Sequence, residues 1–179
     1  ESGYSQIFLL PADGGTPRQI TQGEFNHGGK LDWTPDGNEI IFSANRNEDW
    51  RERERNSDLW SVNYRTGEMR QLTDRNGPDF APSLSPDGSR LAYLGYEDRL
   101  MGYHNSQVSI LDLNSGKITQ LTEGLDRSID WVEWAGNSRQ LLISFDDFGK
   151  RKLASVDMEG DLRPLESDVG SAGISRPYT

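Results

Sequence analysis

A unit of about fifty residues recurs along this chain, and a recurrence of that length leaves few folds open. Thr34-Pro35-Asp36-Gly37 returns as Ser85-Pro86-Asp87-Gly88, 51 positions on, and degenerates to Ala135-Gly136-Asn137-Ser138 a further 50 on. The unit endings agree as well: Gln19-Ile20-Thr21, Gln71-Leu72-Thr73 and Gln120-Leu121-Thr122, with Pro164-Leu165-Glu166 closing the last more loosely. Stacked on these marks, the repeats occupy 31–73, 82–122 and 131–166. One blade of a β-propeller takes roughly 40 to 50 residues, so the period predicts blades.

Inside each unit, β-branched and aromatic residues alternate with polar ones between turn signals, which predicts four short strands. In the middle unit these fall at 82–85, 90–95, 107–113 and 117–122. The Pro-Asp-Gly and Asn-Ser-Gly pieces between them supply positive φ through glycine, as tight hairpins require. No segment holds a sustained 3.6-residue apolar stripe, so helix is expected to be nearly absent. The expected fold is all-β, a partial β-propeller of four-stranded antiparallel blades. Residues 31–73, 82–122 and 131–166 form the fuller blades, 1–21 the end of a preceding blade and 170–179 the start of another. Such a set falls short of the roughly 4 to 8 blades that close a ring. Residues 1–179 therefore read as a single incomplete propeller cut from a longer protein, and Glu1 is no start methionine. Open blade edges carry unpaired backbone groups and apolar faces, so self-association through them is expected. A small β-sandwich is the alternative, since short, evenly spaced strands also suit that fold.

Composition narrows function. With 19 Lys+Arg against 29 Asp+Glu the formal net charge is −10, which leaves no basic footprint for phosphate, so no nucleic-acid partner is expected. Hydrophobic residues make up 33% of the chain, and no run approaches the roughly 20 apolar residues of a membrane span. The chain reads as soluble, in cytoplasm or periplasm. Five Trp, six Tyr and six Phe supply bulk for a core. The absence of Cys excludes disulfide scaffolds, thiolate metal sites and cysteine nucleophiles.

Antiparallel order within a blade assigns loops to faces. Loops joining first to second and third to fourth strands share one side, and here they are all tight turns, at 35–37, 65–67, 86–88, 114–116 and 159–160. Loops joining second to third strands, and one blade to the next, share the other. That side holds the insertions 45–57 and 96–106 and the connectors 74–81 and 123–130. Long loops on a rigid scaffold are where binding residues concentrate, so the insertion side is the functional candidate.

The common catalytic patterns are missing. No G-x-S-x-G nucleophile turn occurs, and His27 and His104 are the sole imidazoles, with no helix-borne pair to bind zinc. Asp74-Arg75-Asn76-Gly77-Pro78-Asp79 lacks the terminal Glu of a calcium loop. Gly14-Gly15 and Gly28-Gly29 do not lie between a strand and a helix, where phosphate would be held. No cofactor, metal or catalytic residue is therefore expected. His27, beside Gly28-Gly29, reads as a loop residue, while His104 stands open between loop packing and ligand contact. Glu48, Asp49, Glu52 and Glu54 alternate with Arg51, Arg53 and Arg55, which describes a solvated charged loop better than an amine-binding rim.

Several strings carry a resemblance. Leu84-Ser85-Pro86-Asp87-Gly88-Ser89-Arg90-Leu91-Ala92-Tyr93 resembles the propeller repeats of the Tol-system periplasmic protein and of prolyl oligopeptidase-family peptidases. Longer signatures discriminate further: Ala44-Asn45-Arg46 with Glu48-Asp49-Trp50, and Gln71-Leu72-Thr73-Asp74-Arg75 with Gly77-Pro78-Asp79. Gly95-Tyr96-Glu97-Asp98-Arg99, Gly102-Tyr103-His104-Asn105, Leu125-Asp126-Arg127-Ser128 and Ser175-Arg176-Pro177-Tyr178-Thr179 continue the match. Together they are similar to the N-terminal propeller of bacterial acylaminoacyl-peptidase or dipeptidyl-aminopeptidase-like enzymes. The resemblance implies a propeller that covers an α/β-hydrolase domain bearing a Ser-Asp-His triad and admits short peptides. It implies as partners the remaining blades, that hydrolase domain and the peptides. On this reading Arg46, Trp50, Tyr96, Asp98, Arg99, Tyr103 and His104 line the gate or the hydrolase contact, or else tie the insertions to their blades. The alternative function is a stand-alone Tol-type propeller that binds protein partners. A catalytic propeller, lyase or glycosidase, would want clustered His or paired carboxylates around its channel, and two scattered His serve that poorly.

Overall fold

A computed structural model of the chain describes residues 3–166. The expected blade start at 170–179 lies outside the described residues. β1 (Phe8–Leu9) and β2 (Arg18–Gln19) form a two-stranded ribbon. Three four-stranded antiparallel sheets follow, each in sequence order. The first is β3 (His27–Trp33), β4 (Glu39–Ala44), β5 (Asp58–Asn63) and β6 (Met69–Gln71). The second is β7 (Asp79–Leu84), β8 (Arg90–Gly95), β9 (Gln107–Asp112) and β10 (Ile118–Gln120). The third is β11 (Ile129–Trp134), β12 (Gln140–Asp147), β13 (Lys150–Asp157) and β14 (Leu162–Glu166). Among the described residues there is no helix, and so none long and apolar enough to cross a membrane.

The core lies between sheets. Ile40, Phe42 and Ala44 of β4 pack with Ile7 and Ile20 of the ribbon, while Ile41, the residue between, packs with Leu91, Tyr93 and Leu111 of the second sheet. The second sheet repeats the division: Leu91 and Tyr93 face back to Ile41 and Leu59, and Ala92 and Leu94 face forward to Val132, Leu141, Ile143 and Val156. Successive residues of a strand point to opposite faces, so an unbroken apolar run on β4 or β8 marks a sheet covered on both sides. Three separate interfaces between consecutive sheets are the packing of propeller blades, and the two-layer sandwich with one shared interior does not occur.

The recurring letters have recurring tasks. At the ends of the ribbon and of the first two four-stranded sheets a threonine hydroxyl accepts a backbone N–H from the neighbouring segment: Thr21 from Ile7 at 2.9 Å, Thr73 from Leu59 at 3.0 Å and Thr122 from Val108 at 2.9 Å. That bond fastens the outer edge of the blade. In the Pro-Asp-Gly turns, Asp36 accepts from the Thr34 hydroxyl at 2.6 Å and Asp87 from the Ser85 hydroxyl at 2.6 Å. The hydroxyl and amide donors around Asp87 hold its carboxyl down at about 2.

The first strands begin upstream of the expected positions, the middle one at Asp79 rather than 82, and each is bulged. The ladder slips between Gly28 and Asp32, between Phe80 and Ser83, and between Ile129 and Trp131. This corrects the reading of His27 as a loop residue. Gly28 and Gly29 belong to a strand bulge, and His27, the first residue of β3, is 2% exposed.

Neighbouring turns touch on the tight-turn side. Gly37 and Gly88 both have positive φ, 67° and 71°. A Cβ at Gly37 meets open space, whereas one at Gly88 would lie 2.9 Å from Pro35 Cγ of the preceding blade. Gly37→Ala is expected to cost about 1 kcal/mol of strain. Gly88→Ala is expected to cost about 1–3 kcal/mol more, because Pro35 must move. Chemical denaturation of the two variants reads the difference, and equal losses would show that the turns do not pack.

Candidate functional site

The insertion side carries a cavity of about 620 Å³, bounded by Gly28, Gly29 and Lys30 of β3, Phe80 and Ala81 of β7, and Trp50 of the 45–57 insertion. The bulges make it. Gly29 and Ala81 both adopt positive φ, 75° and 52°, where the ladders slip. Below the bulges the three first strands are tied by polar side chains. Lys30 Nζ lies 2.5 Å from Glu133 Oε1 of β11 and also donates to the Val132 carbonyl at 3.2 Å. Ser83 of β7, between them, donates to Glu133 Oε2 at 2.9 Å, and Asp32 Oδ2 accepts from the Leu84 amide at 2.6 Å. Trp134 Nε1 donates to the Ser83 carbonyl at 2.8 Å.

Beside the cavity, Arg46 points inward. Its Nη1 donates to His27 Nε2 at 2.5 Å, and its guanidinium carbon sits 4.6 Å from the Phe25 ring centre and 5.5 Å from that of Trp60. An arginine donates only, so His27 Nε2 is the acceptor and the imidazole is neutral. Burial first, and then the Arg46 charge, hold His27 below the usual imidazole range, against a smaller opposing pull from the backbone of Ser5 and Phe25. Trp50 meets Tyr4 and Phe25 edge-on at 5.9 and 6.1 Å, which pins the insertion to the blade below it. The charges beyond are solvated, with Arg53 3.6 Å from Asp49 and Arg51 3.4 Å from Glu24.

The 96–106 insertion is braced separately. Tyr96 and His104 stack at 4.8 Å with their planes 6° apart. His104 Nε2 accepts from the Arg99 amide at 3.1 Å and lies 3.7 Å from Asp98 Oδ1, which accepts from the Leu100 amide at 2.8 Å. Asn76 of the 74–81 connector exchanges bonds with the Asp98 backbone at 2.7 and 2.8 Å. The seven candidates thus divide into two groups. Arg46 and Trp50 stand by the cavity; Tyr96, Asp98, Arg99, Tyr103 and His104 form the second insertion, of which Arg99 and Tyr103 are exposed and Tyr96, Asp98 and His104 half-buried.

Between the groups lies a buried acidic centre that sequence reasoning passed over. Asp79, fully buried, pairs with Arg75, whose guanidinium rests 6.0 Å from the Tyr93 ring centre. Gly95 leaves the room, since a Cβ there would collide with Arg75, the Pro78 carbonyl and Asp79. Burial pushes the Asp79 carboxyl up and outweighs the opposing pull of Arg75. Asp58, 2% exposed, is the odd member of a repeated position. Gln6 and Gln107, each the acceptor for its blade's Thr21 or Thr122 hydroxyl, donate through Nε2 to two carbonyls of the following connector. Asp58 has no amide to give. Its Oδ2 accepts from Asn47 and Gln71 at 3.3 and 3.1 Å, while Oδ1 is buried without a hydrogen bond among the described residues. Burial, ahead of the neighbouring charges of Asp79 and Asp74, raises the Asp58 carboxyl to about 6.

The repeat held usable signals for some of this. Counting three back from Pro35, Pro86 and Gly136 gives Asp32, Ser83 and Glu133, the polar column facing the axis. Lys30 was hidden by the two-residue bulge that shifts its register. Among the described residues, no group of three or more His, Asp or Glu is placed to hold a metal ion.

The sequence matches the family described as TolB beta propeller domain over residues 1–172. Dipeptidyl-peptidase 5 of Porphyromonas gingivalis is 28% identical over 111 residues, 60% of this chain and 16% of that protein. A TolB homologue of Chlorobium chlorochromatii is 29% identical over 143 residues, 80% of this chain and 29% of that protein. The chain therefore spans less than a third of either relative. Among solved structures, puromycin hydrolase superposes with a TM-score of 0.71 at 20% identity, over 91% of this chain and 27% of that one. That likeness shows the fold.

Asp58 yields a pH prediction of definite sign. Its folded pKa, about 6, stands above the model-peptide 3.8, so its neutral form is favoured in the fold. This group's stabilisation is complete below about pH 4 and is lost as pH rises through about 6. Asp58→Gln, which restores the residue type found in the ribbon and the second sheet, is expected to stabilise the chain by about 1–3 kcal/mol at pH 7.5 and by nothing near pH 4. Melting curves of both proteins across that range measure it, and a gain independent of pH would remove the buried carboxylate as its cause.

Proposed function

The chain belongs to the TolB beta propeller domain family, and from that premise we propose that it is the non-catalytic propeller segment of a serine peptidase acting on short peptides. We read the described residues as one incomplete propeller, with blades within 31–73, 82–122 and 131–166 and part of a blade ahead of them. The insertion side gates or orients substrate for an α/β-hydrolase domain of the same polypeptide. The observation that carries this reading is the inequality of the two faces: both insertions, the glycine-lined cavity and the Lys30–Glu133 tie open on one side, and the other has only tight turns. The similarity to dipeptidyl-peptidase 5 supports the reaction class proposed.

The candidate residues divide by exposure. Arg99, exposed at the tip of the second insertion, is free to meet a peptide carbonyl, and Tyr103, exposed beside it, sets where that tip stands. Tyr96, Asp98 and His104 position the loop that presents them, while Arg46 and Trp50 tie the first insertion to its own surroundings. A second reading, a Tol-type propeller that binds protein partners at the same face, is favoured by the TolB homologue's coverage of 80% of this chain.

In the full-length polypeptide, Arg99→Ala and Tyr103→Ala are expected to change the ratio of kcat/KM between dipeptide-sized and longer substrates by roughly tenfold. An unchanged ratio would end the gating role. The open sheet faces give a second expectation. Phe8, 55% exposed, and Trp131, 40% exposed, alternate with core-facing Ile7 and Val132 and so stand on the outer faces of the terminal sheets. The 179-residue chain by itself is expected to associate as its concentration rises. Sedimentation velocity over a hundredfold range tests this, with a constant monomer as the contrary result.

A further inference from the structure

We propose that Leu100, Met101, Tyr103 and Phe148 are anchor side chains that seat in an apolar surface of the hydrolase domain. This rests on the peptidase reading above and adds the contact residues. Two independent oddities coincide at these positions. Phe148 and Leu100, at 92% and 84%, are the most exposed large apolar residues among those described. They are also two of the four non-glycine residues with positive φ, at 48° and 54°. Bulky L-residues avoid that region. Phe148 and Gly149 are the central pair of a two-residue hairpin turn joining Asp147 to Lys150, both with positive φ, where Asn-Gly or Gly-Gly is the ordinary choice. Phenylalanine at that position is unfavourable for the backbone and exposed to water, so the fold of this chain does not account for it.

The tips are braced and share a face. Asp98 and His104 hold the Leu100 and Arg99 amides, and Met101 and Tyr103 follow at 62% and 69% exposure. Asn105 donates to Asp126 at 3.1 Å, the next residue Arg127 bonds Asp147 at 2.8 Å, and the Arg127 guanidinium lies 5.4 Å from the Phe148 ring centre. A continuous set of contacts therefore links the second insertion to the hairpin of the next blade. On the opposite side the turns at 35–37, 65–67, 86–88, 114–116 and 159–160 carry no exposed large apolar residue, and the ribbon turn adds only Leu10, at 56%. A second copy of the chain has the outer sheet faces at Phe8 and Trp131 to meet, not the loop tips. The occupant that fits is a domain of the same polypeptide: this chain spans 16% of the Porphyromonas gingivalis peptidase, so most of such a relative lies outside the matched segment.

Hydroxyl-radical footprinting of the full-length polypeptide, with fluorophosphonate labelling of the same sample, tests the assignment. The expected result is a labelled serine, with the four side chains oxidised about fivefold more slowly than their exposure dictates, taking Ile118 on β10 as the exposed reference. Phe148→Asn is expected to melt no lower than the parent, because Asn suits the turn, yet to restore reactivity at Tyr103 and Met101. A labelled serine with all four side chains fully reactive overturns the docking assignment and leaves the peptidase reading standing. No labelled serine removes the hydrolase domain, and this occupant with it.

Discussion

The first and second four-stranded sheets are apolar on both faces, and the rest of the structure depends on that. Ile41 and Phe42, adjacent in β4, belong to different cores, as do Leu91 and Ala92 in β8. A sheet of this kind has no solvent face and finds stability only between two others. The sequence repeats because the packing problem repeats, and the blades fan because a twisted sheet covered on both sides leaves the next sheet no other place. The terminal sheets meet the same requirement on one face only, which is why Trp131 remains 40% exposed on a strand whose Val132 is buried.

Polar groups set the register of this apolar stack. The threonine that ends the ribbon and each of the first two sheets occupies a backbone donor that would otherwise be buried without a partner, and an unmade bond of that kind costs about 1–3 kcal/mol. The glutamine beside it, in the ribbon and the second sheet, extends the fastening to the connector. Asp58 breaks the pattern in the blade with the longest insertion. There the connector is held by Arg75 against Asp79 and by Asn76 against the 96–106 insertion. The departure from the repeat thus coincides with a connector fastened to two loops at once, to its own blade's insertion through Asn56 and Arg53 and to the neighbouring insertion through Asn76.

Most of the architecture was legible in the sequence because it is periodic. Pro35 and Pro86 mark turns, Thr73 and Thr122 mark blade ends, and the loop lengths alone separate the two faces. What stayed hidden depends on local departures from period. His27 looked like a loop residue because Gly28-Gly29 normally interrupts a strand, and here the pair forms a bulge inside one. Lys30 gave no signal, since its partner Glu133 lies 103 positions away and the bulge moves it out of the column that Asp32 and Ser83 share. Arg46 and Tyr103 looked like members of one site. The structure gives them different neighbours, because a guanidinium between Phe25, Trp60 and a neutral imidazole is part of the blade's packing, whereas Tyr103 leaves its loop for solvent.

The Gly28-Gly29 bulge connects these levels. Gly29, Lys30 and Leu31 stand opposite the single residue Phe42, which pushes the β3 backbone out, and with no side chain at Gly28 or Gly29 the space beside it stays open as the cavity. The same extra length carries Lys30 to β11, past the intervening blade. Lys30 and Glu133 are partly exposed, at 31% and 40%, so the pair contributes about 0–1 kcal/mol to stability. Its effect is positional. Lys30 lines the cavity with its charge already matched by Glu133, so the glycine wall stands beside no uncompensated charge.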